Sequence, residues 1–105
     1  MRNTRYVMLV LYDLPVKGPN ERREYRRFRK FLLRNGYIAV QKSIYSKLLI
    51  NSSRVTAETA MISGAVPKDG CVNLLPMSIT EFRNLSAVVG ENFNMSIFAD
   101  DLVVI

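Results

Sequence analysis

Basic residues are concentrated in residues 21–35, ERREYRRFRKFLLRN. On a helical wheel with about 100° per residue, Tyr25, Phe28, Phe31 and Leu32 occupy one side. The other side carries seven of the fifteen Lys and Arg residues, namely Arg22, Arg23, Arg26, Arg27, Arg29, Lys30 and Arg34. Six of the seven are arginine, whose planar guanidinium suits bidentate contacts with phosphate. The pattern predicts a helix that binds a nucleic-acid backbone without reading base edges.

Two other interpretations of this helix remain open. It could be a solvated surface, although such surfaces usually mix charges because like charges three or four residues apart repel. Here only Glu21 and Glu24 offset the positive charge. A basic amphipathic helix can also lie on an anionic membrane. A chain of this size needs the apolar side of the helix for its core, so we expect no membrane partner.

Asp13 is the carboxylate best placed for chemistry, because it follows the apolar run YVMLVLY and precedes Leu14-Pro15. An aspartate in such a position is often a turn or capping residue. One carboxylate alone is a poor metal site, since Mg²⁺ usually takes one or two carboxylates with waters and phosphate oxygens. In a symmetric dimer, two Asp13 side chains near the axis could share one cation. Asp100 and Asp101 form the other acidic pair, but adjacent side chains in a strand point to opposite faces, so we interpret this pair as part of a capped loop.

Several kinds of catalytic site are excluded by residues that the chain lacks. There is no histidine, and Cys71 is the single cysteine, so neither a Ser-His pair nor a Cys/His zinc site is possible. No phosphate-binding glycine motif occurs, and no aromatic RNA-recognition strand occurs. Any chemistry must use carboxylates, hydroxyls or an oxygen-bound metal. Cys71 lies in CVNLLP, which we interpret as a strand with a buried, inert thiol.

The composition predicts a single, ordered, cytoplasmic domain with an anionic partner. The chain has 105 residues, 49% of them hydrophobic, and a formal net charge of +6. A charge of this size favours a polyanion such as nucleic acid, although by composition alone it could equally serve solubility, and the distribution of the charges decides more than their total. No apolar run is long enough to span a membrane, and the N-terminal stretch MRNTRYV lacks the features of a signal peptide.

The expected elements follow from apolar patterns and turn residues. A first strand covers 5–12, and a helix is expected to begin with Asn20 as N-cap and to end at Gly36. The β-prone stretch 37–50 is too long for one ordinary strand and should form two strands or one bent strand, with a break near Lys42–Ser43. The later elements are a helix from 51–53 to Pro67, a strand over 71–77, a short helix with a Ser78–Glu81 capping box that runs to about Val89, and a strand over 101–105.

The order β-α-β-β-α-β with an extra C-terminal strand predicts an α+β, ferredoxin-like sandwich with an antiparallel sheet, one domain over residues 1–105. Both crossover helices should cover one sheet face, which leaves the other face bare. Formation of a homodimer is the simplest way to cover it. The strand 101–105 could pair with a partner's sheet edge or with its own sheet.

The stretches YVMLVLYDLP, ERREYRRFRKFLLRNGY and VQKSIYSKLL together resemble the second core component of CRISPR adaptation, the "Cas-two" family, in the form found in type II systems. The most diagnostic block is YRRFRKFLLRNGYIAVQKSIYSKLL. The resemblance is strong over residues 5–50 and weaker over 71–85. It implies a ferredoxin-like homodimer whose C-terminal strand pairs with the other protomer.

The resemblance also implies a role in antiviral defence. The family dimer binds the CRISPR integrase in a heterohexamer-type complex that captures a prespacer duplex and inserts it as a new spacer. The family aspartate that matches Asp13 is regarded as a Mg²⁺ ligand in a phosphodiesterase site shared across the dimer. The chain would then act mainly as a duplex-binding scaffold. The alternative is a metal-dependent endoribonuclease or DNase that acts independently of the integrase.

Overall fold

The computed structural model describes residues 5–85. These residues form a four-stranded sheet and three helices. In chain order the elements are β1 (Tyr6–Asp13), α1 (Pro19–Arg34), β2 (Ile38–Gln41), β3 (Ile44–Leu49), α2 (Ser52–Ser63), β4 (Cys71–Ser78) and α3 (Ile79–Arg83). The expected C-terminal strand 101–105, like the Asp100-Asp101 pair, lies outside the described residues.

The sheet has the strand order β2-β3-β1-β4, and every neighbouring pair is antiparallel. The longest strand pairing joins β1 to β4, from Tyr6 opposite Ser78 to Asp13 opposite Cys71. This arrangement is compatible with the predicted ferredoxin-like α+β fold. It places β1 in the interior of the sheet and makes β2 and β4 the edge strands among the described elements.

The hairpin between β2 and β3 breaks where the sequence predicts. Lys42 and Ser43 form the turn, and Ser43 adopts a positive φ of 61°. The pairing of the two strands shifts register between Ala39 and Gln41. Because such a bulge disturbs the regular row of backbone groups, it also protects β2 as an edge strand.

Helix α1 ends as predicted but begins two residues earlier. Its N-cap is Gly18 rather than Asn20, because Pro19 is well suited to the first helical position. The Glu21 carboxylate accepts hydrogen bonds from the Gly18 and Lys17 backbone N–H groups at 3.1 and 2.8 Å. At the other end, Gly36 has a φ of 87°, and the Tyr37 N–H donates to the Leu32 carbonyl at 2.9 Å. These contacts close a Schellman motif.

The later helices differ from prediction mainly in length. Helix α2 begins after Asn51, whose side chain accepts a hydrogen bond from the Arg54 N–H, but it ends at Ser63 instead of reaching Pro67. Gly64 caps it, because glycine is a poor helix former. The Ser78–Glu81 capping box of α3 is confirmed, with hydrogen bonds of 2.9 and 3.1 Å. Helix α3 ends at Arg83, and the predicted end near Val89 lies outside the described residues.

The main core lies between one sheet face and the helices α1 and α2. Side chains of β1 at alternate positions point into it, as do the apolar residues of α1, and its buried members include Met8, Val10, Tyr12, Phe28, Leu32 and Ile62. Tyr12 lies at its centre and makes edge contacts with Phe28 and Tyr25, with ring centroids 5.5 and 5.8 Å apart. The apolar side of α1 is therefore occupied within the chain.

The opposite sheet face, called here the distal face, carries the other alternate residues of β1: Val7, Leu9, Leu11 and Asp13. We expected nothing in the chain to cover it, and this expectation was wrong for one end. Phe82 of α3 is fully buried against Val7, Leu9 and Val40. Toward Asp13 the cover thins, and Leu75 is 47% exposed.

Candidate nucleic-acid and metal sites

All seven basic side chains of α1 are exposed on the side of the helix that faces away from the sheet. We call this surface the basic face: Arg22, Arg23, Arg26, Arg27, Arg29, Lys30 and Arg34. The sheet holds the helix by Phe28 and Leu32, which are buried completely. From Arg22 to Arg34 the basic face extends about 18 Å along the helix axis, at 1.5 Å per residue.

Three of these arginines have partners inside the chain. Arg22 donates to the carbonyls of Val16 and Lys17 at 3.3 and 2.8 Å, and so stabilises the loop that precedes the helix. Arg23 donates to the Asn20 side chain at 3.2 Å.

Arg27 pairs with Glu24 at 2.9 Å and also donates to the Ala65 carbonyl at 3.0 Å, which links α1 to the loop after α2.

Among the described residues, the other four basic side chains find no such contacts. Within residues 5–85, the side chains of Arg26, Arg29, Lys30 and Arg34 make no ion pair or hydrogen bond. Charges that are exposed and uncompensated attract an anionic partner, because no internal contact must be broken when the partner binds. Leu33 lies among them on the same side of the helix and is 43% exposed.

Asp13 is the last residue of β1 and points to the distal face, away from α1 and α2. Its side chain is exposed. Asp13 lies directly opposite Cys71 of β4. The neighbours of Cys71 on the same face of β4 are Asn73 and Leu75. The structure therefore does not bring Asp13 together with the basic residues of α1, which lie on the other side of the sheet.

The Cys71 prediction was wrong, because its thiol is exposed rather than buried. Cys71 begins β4, which is an edge strand among the described elements, and its side chain points to the less covered end of the distal face. The Asn73 amide donates to the Cys71 sulfur at 3.4 Å. A sequence pattern that identifies a strand does not identify a strand's place in the sheet, so the exposure was not predictable from CVNLLP alone.

The backbone behind Asp13 is packed closely against the turn that precedes β4. Gly70 has a φ of 100°, and a Cβ atom there would lie 2.8 Å from the Asp13 carbonyl oxygen and 2.8 Å from Leu14 Cδ2. Only glycine fits this approach without moving its neighbours. The turn PKDG was predicted from its composition, and Gly70 fixes the end of β1 where Asp13 lies.

A buried carboxylate, Glu58, was not identified from the sequence. It is 2% exposed and accepts hydrogen bonds from the Tyr37 hydroxyl at 2.9 Å, Lys47 Nζ at 3.1 Å and Arg54 Nη2 at 3.0 Å. Burial alone would raise the pKa of Glu58, but the hydrogen bonds from Tyr37 and Lys47 and the positive charges outweigh it and lower the pKa. Burial and the bond to Glu58 raise the pKa of Tyr37.

The sequence does contain a signal for Glu58. Val55, Glu58 and Ile62 are spaced three and four residues apart, which places the glutamate within the apolar stripe of α2. Two of its three hydrogen bonds join α2 to β3 and to the segment after α1, and the third, from Arg54, lies within α2. We interpret this cluster as a structural support of the fold, since it is satisfied internally and lies on the helix side of the sheet.

Among the described residues, Asp13 is the candidate metal ligand, because its carboxylate is exposed on the distal face. Within residues 5–85, no group of three or more His, Cys, Asp or Glu side chains is arranged to hold a metal ion. The single Asp13 carboxylate of one chain therefore supplies too few protein ligands to form a metal site by itself. Its exposure and its position on the distal face suit a site completed by a second chain, with carboxylate oxygens of the kind that Mg²⁺ prefers.

Comparison with known proteins identifies the family. The family model described as CRISPR associated protein Cas2 matches residues 6–85, which span every element of the described fold. The chain belongs to the Cas2 family. This confirms the resemblance inferred from YVMLVLYDLP and the basic block that follows it. The matched range contains Asp13 and all seven residues of the basic face.

Individual Cas2 relatives support the same assignment. The chain is 42% identical over 84 residues to a protein of Streptococcus mutans named CRISPR-associated endoribonuclease Cas2, covering 80% of this chain and 78% of that protein. It is 32% identical over 98 residues to the protein of the same name in Treponema denticola, covering 93% and 97%. A Rhodospirillum rubrum relative is 38% identical over 86 residues, covering 82% and 77%.

As a Cas2 family member the chain has a CRISPR-associated role. In the part of the chain that the structure describes, no helix is long and apolar enough to cross a membrane.

Proposed function

We propose that this Cas2 family protein is a duplex-DNA-binding scaffold of the CRISPR adaptation complex. In this proposal a homodimer binds the prespacer together with the CRISPR integrase, in a heterohexamer-type assembly. The observation that carries the proposal is the basic face of α1, on which seven cationic side chains are exposed and four make no internal contact within residues 5–85.

The chemistry of the basic face suits the phosphate backbone of a duplex. Arginine is well matched to phosphate oxygens, and a helix surface about 18 Å long spans several phosphates of a strand. The basic face offers no carboxamide side chain for base readout, since its members are arginines and one lysine whose charges favour the backbone. Binding should therefore be largely independent of sequence and strongly dependent on salt. Such binding is appropriate for a protein that handles spacers of different sequence.

A dimer formed through the distal face would agree with this role. Helix α1 packs on the opposite sheet face and directs its basic side outward. Two copies that meet at their distal faces would therefore leave both basic faces available to DNA. The distal face also has apolar surface to bury, including Leu75 and the half-buried Leu11.

A second candidate function is a metal-dependent endonuclease, which the relatives' name endoribonuclease favours. In this proposal Asp13 and the Asp13 of a second copy hold Mg²⁺ at the dimer interface. The cation would supply an activated water for attack on a phosphodiester. The chain's own contribution is to fix the Asp13 backbone through the close packing of Gly70 and to keep the carboxylate exposed on the distal face.

One experiment tests the scaffold proposal and separates it from the enzyme proposal. Arg22, Arg26 and Lys30 are changed together to glutamate, and duplex binding is measured by fluorescence anisotropy at several salt concentrations. We expect weak binding with a flattened salt dependence, while the Asp13→Asn variant should bind DNA and the integrase like the wild type. Unchanged binding by the charge-reversed variant would contradict the scaffold proposal. Because Arg22 also stabilises the loop before α1, circular dichroism of the variant serves as a folding control.

A further inference from the structure

One lysine outside the basic face lies beside Asp13. Strands β1 and β3 pair in an antiparallel register, and the Tyr12 N–H continues this register into the turn after β2 by donating to the Ser43 carbonyl at 3.1 Å. The next position of the register sets Lys42 opposite Asp13. Opposed positions of an antiparallel ladder have Cα atoms about 4.5–5.5 Å apart. The long, flexible side chain of Lys42 can therefore reach the space around the Asp13 carboxylate.

The charges of Lys42 and Asp13 do not neutralise each other by direct contact. Lys42 is exposed at the tip of the hairpin, and within residues 5–85 its side chain makes no ion pair or hydrogen bond. The exposed Asp13 carboxylate likewise makes none in that range. The carboxylate is therefore open to a cation while the ammonium group beside it is open to an anion.

The described part of the chain offers no equivalent of Lys42. Among residues 5–85, it is the one cation that the sheet register sets next to Asp13. On the β4 side, the neighbours of Asp13 on the distal face are Cys71 and Asn73, which are a thiol and a carboxamide. Lys68, in the turn before β4, lines a cavity against α1 and so lies on the helix side of the sheet.

The turn that carries Lys42 is fixed to the sheet. Ser43 has a φ of 61°, which residues other than glycine adopt infrequently. Such a conformation persists where the surrounding structure holds it, and here the hydrogen bond from Tyr12 to the Ser43 carbonyl ties the turn to β1. The fold thus sets the position of Lys42 relative to the end of β1.

We propose that Lys42 is a phosphate-binding residue of the Asp13 site. Its ammonium group would bind a phosphate of a nucleic acid at the place where Asp13 holds a divalent cation. Lysine suits this role because its ammonium is a compact charge with three rotatable donors. The inference rests on the second candidate function, the metal site shared by two Asp13 carboxylates, and it names the group that holds the substrate there.

The test uses inorganic phosphate, a probe too small to contact both faces of the sheet. Phosphate is titrated into the full-length chain with Mn²⁺ in place of Mg²⁺, and relaxation of the phosphorus nucleus reports phosphate bound next to the paramagnetic cation. We expect Lys42→Ala to weaken phosphate binding about tenfold and Lys42→Arg to restore most of it. Lys68→Ala is the matched control, because it removes the same charge from another exposed turn lysine. It should bind phosphate like the wild type.

Binding of Mn²⁺ itself, measured by electron paramagnetic resonance, separates this inference from the metal site. A wild type that does not bind Mn²⁺, or an Asp13→Asn variant that binds it equally well, would overturn the metal site and the role of Lys42 together. If Mn²⁺ binds through Asp13 but Lys42→Ala binds phosphate like the wild type, the role of Lys42 is wrong and the metal site stands.

Two further results would also contradict the role of Lys42. Equal weakening in Lys42→Ala and Lys68→Ala would show that only net charge matters. Tighter Mn²⁺ binding by Lys42→Ala with unchanged phosphate affinity would show that Lys42 is a counter-ion of Asp13 rather than a phosphate ligand.

Discussion

Asp13 and Cys71 lie directly opposite each other in the antiparallel pair of β1 and β4, and both side chains are exposed on the distal face of the sheet. Residues paired in this way have Cα atoms about 4.5–5.5 Å apart. Any contact between two copies that brings their Asp13 carboxylates together must therefore bring their Cys71 thiols close as well. The single cysteine of the chain is a built-in reporter of the proposed dimer.

We predict that a flexible bis-maleimide cross-links two wild-type chains through Cys71. Cys71 is exposed, and the product should migrate at about twice the 12.0 kDa mass of one chain. Mass spectrometry of the band checks the linked peptide. Cys71→Ser should give no such product. If light scattering shows a dimer but the thiols do not cross-link, the dimer uses another surface and the shared Asp13 site is wrong.

For Asp13, we predict that the Asp13→Asn variant loses Mg²⁺-dependent stabilisation. Two carboxylates near a dimer axis repel each other until a cation binds, so saturating Mg²⁺ should raise the melting temperature of the wild type. At a concentration 100 times its Kd, the ligand adds about 2.7 kcal/mol to the free energy of unfolding. Differential scanning fluorimetry with and without EDTA measures the shift.

The same variant also tests the enzyme proposal. Any phosphodiester cleavage should disappear with EDTA and in Asp13→Asn, while duplex binding persists. Cleavage by the purified variant would show that Asp13 does not hold the metal.

The Glu58 cluster gives a prediction about stability. Glu58→Ala removes the acceptor of three hydrogen bonds and leaves the Tyr37 hydroxyl buried. Because Lys47 and Arg54 are partly exposed and can be hydrated, we expect a loss of about 2 kcal/mol in the free energy of unfolding rather than the larger cost of a fully buried pair. Urea denaturation measures it. Glu24→Ala, which removes an exposed ion pair, should cost at most about 1 kcal/mol.

The lowered pKa of Glu58 also predicts the sign of a pH effect. A carboxyl group whose pKa is lower in the folded chain than in the unfolded chain stabilises the fold above its ordinary pKa of 4.5. This contribution is lost as the pH falls through the folded-state value. The wild type should therefore lose its stability advantage over Glu58→Gln below about pH 4.5. An advantage that grows with acidity would contradict the assigned contacts.

Gly70 tests how the end of β1 is fixed. We expect Gly70→Ala to reduce the free energy of unfolding by about 2 kcal/mol, because the new Cβ would meet the Asp13 carbonyl at 2.8 Å and the backbone has a positive φ. Gly64→Ala is the matched control, since Gly64 has a φ of −77° and ordinary contacts of 3.6 Å. Equal stability of the two variants would show that the approach of Gly70 to Asp13 is not tight.

The fold was predicted largely because its elements carry strong local signals. Gly36 ends α1, the Lys42–Ser43 break separates β2 from β3, and Ser78 with Glu81 begins α3, each by a backbone or capping requirement that belongs to a few residues. The basic face was predicted for the same reason, since helical periodicity alone places its seven members together.

The remaining features depend on contacts between distant segments. The exposure of Cys71 follows from the place of β4 at the edge of the four described strands, which no residue of β4 encodes by itself. The partial cover of the distal face depends on Phe82 meeting Val7 and Leu9. The cavity between the loop after β1 and the turn before β4 joins residues 55 positions apart, from Leu14 to Asp69. Such juxtapositions arise from the topology and had no local signal.

The most direct test of the account compares duplex binding by two variants of identical net charge. Arg26→Glu changes the basic face at a residue whose side chain makes no ion pair or hydrogen bond within residues 5–85. Arg83→Glu makes the same charge change on α3, on the other side of the sheet. We expect Arg26→Glu to weaken duplex binding about tenfold and to reduce the slope of log affinity against log salt by about 1. Arg83→Glu should bind like the wild type. Equal loss in both variants would show that only net charge matters and would contradict a DNA-binding surface on α1.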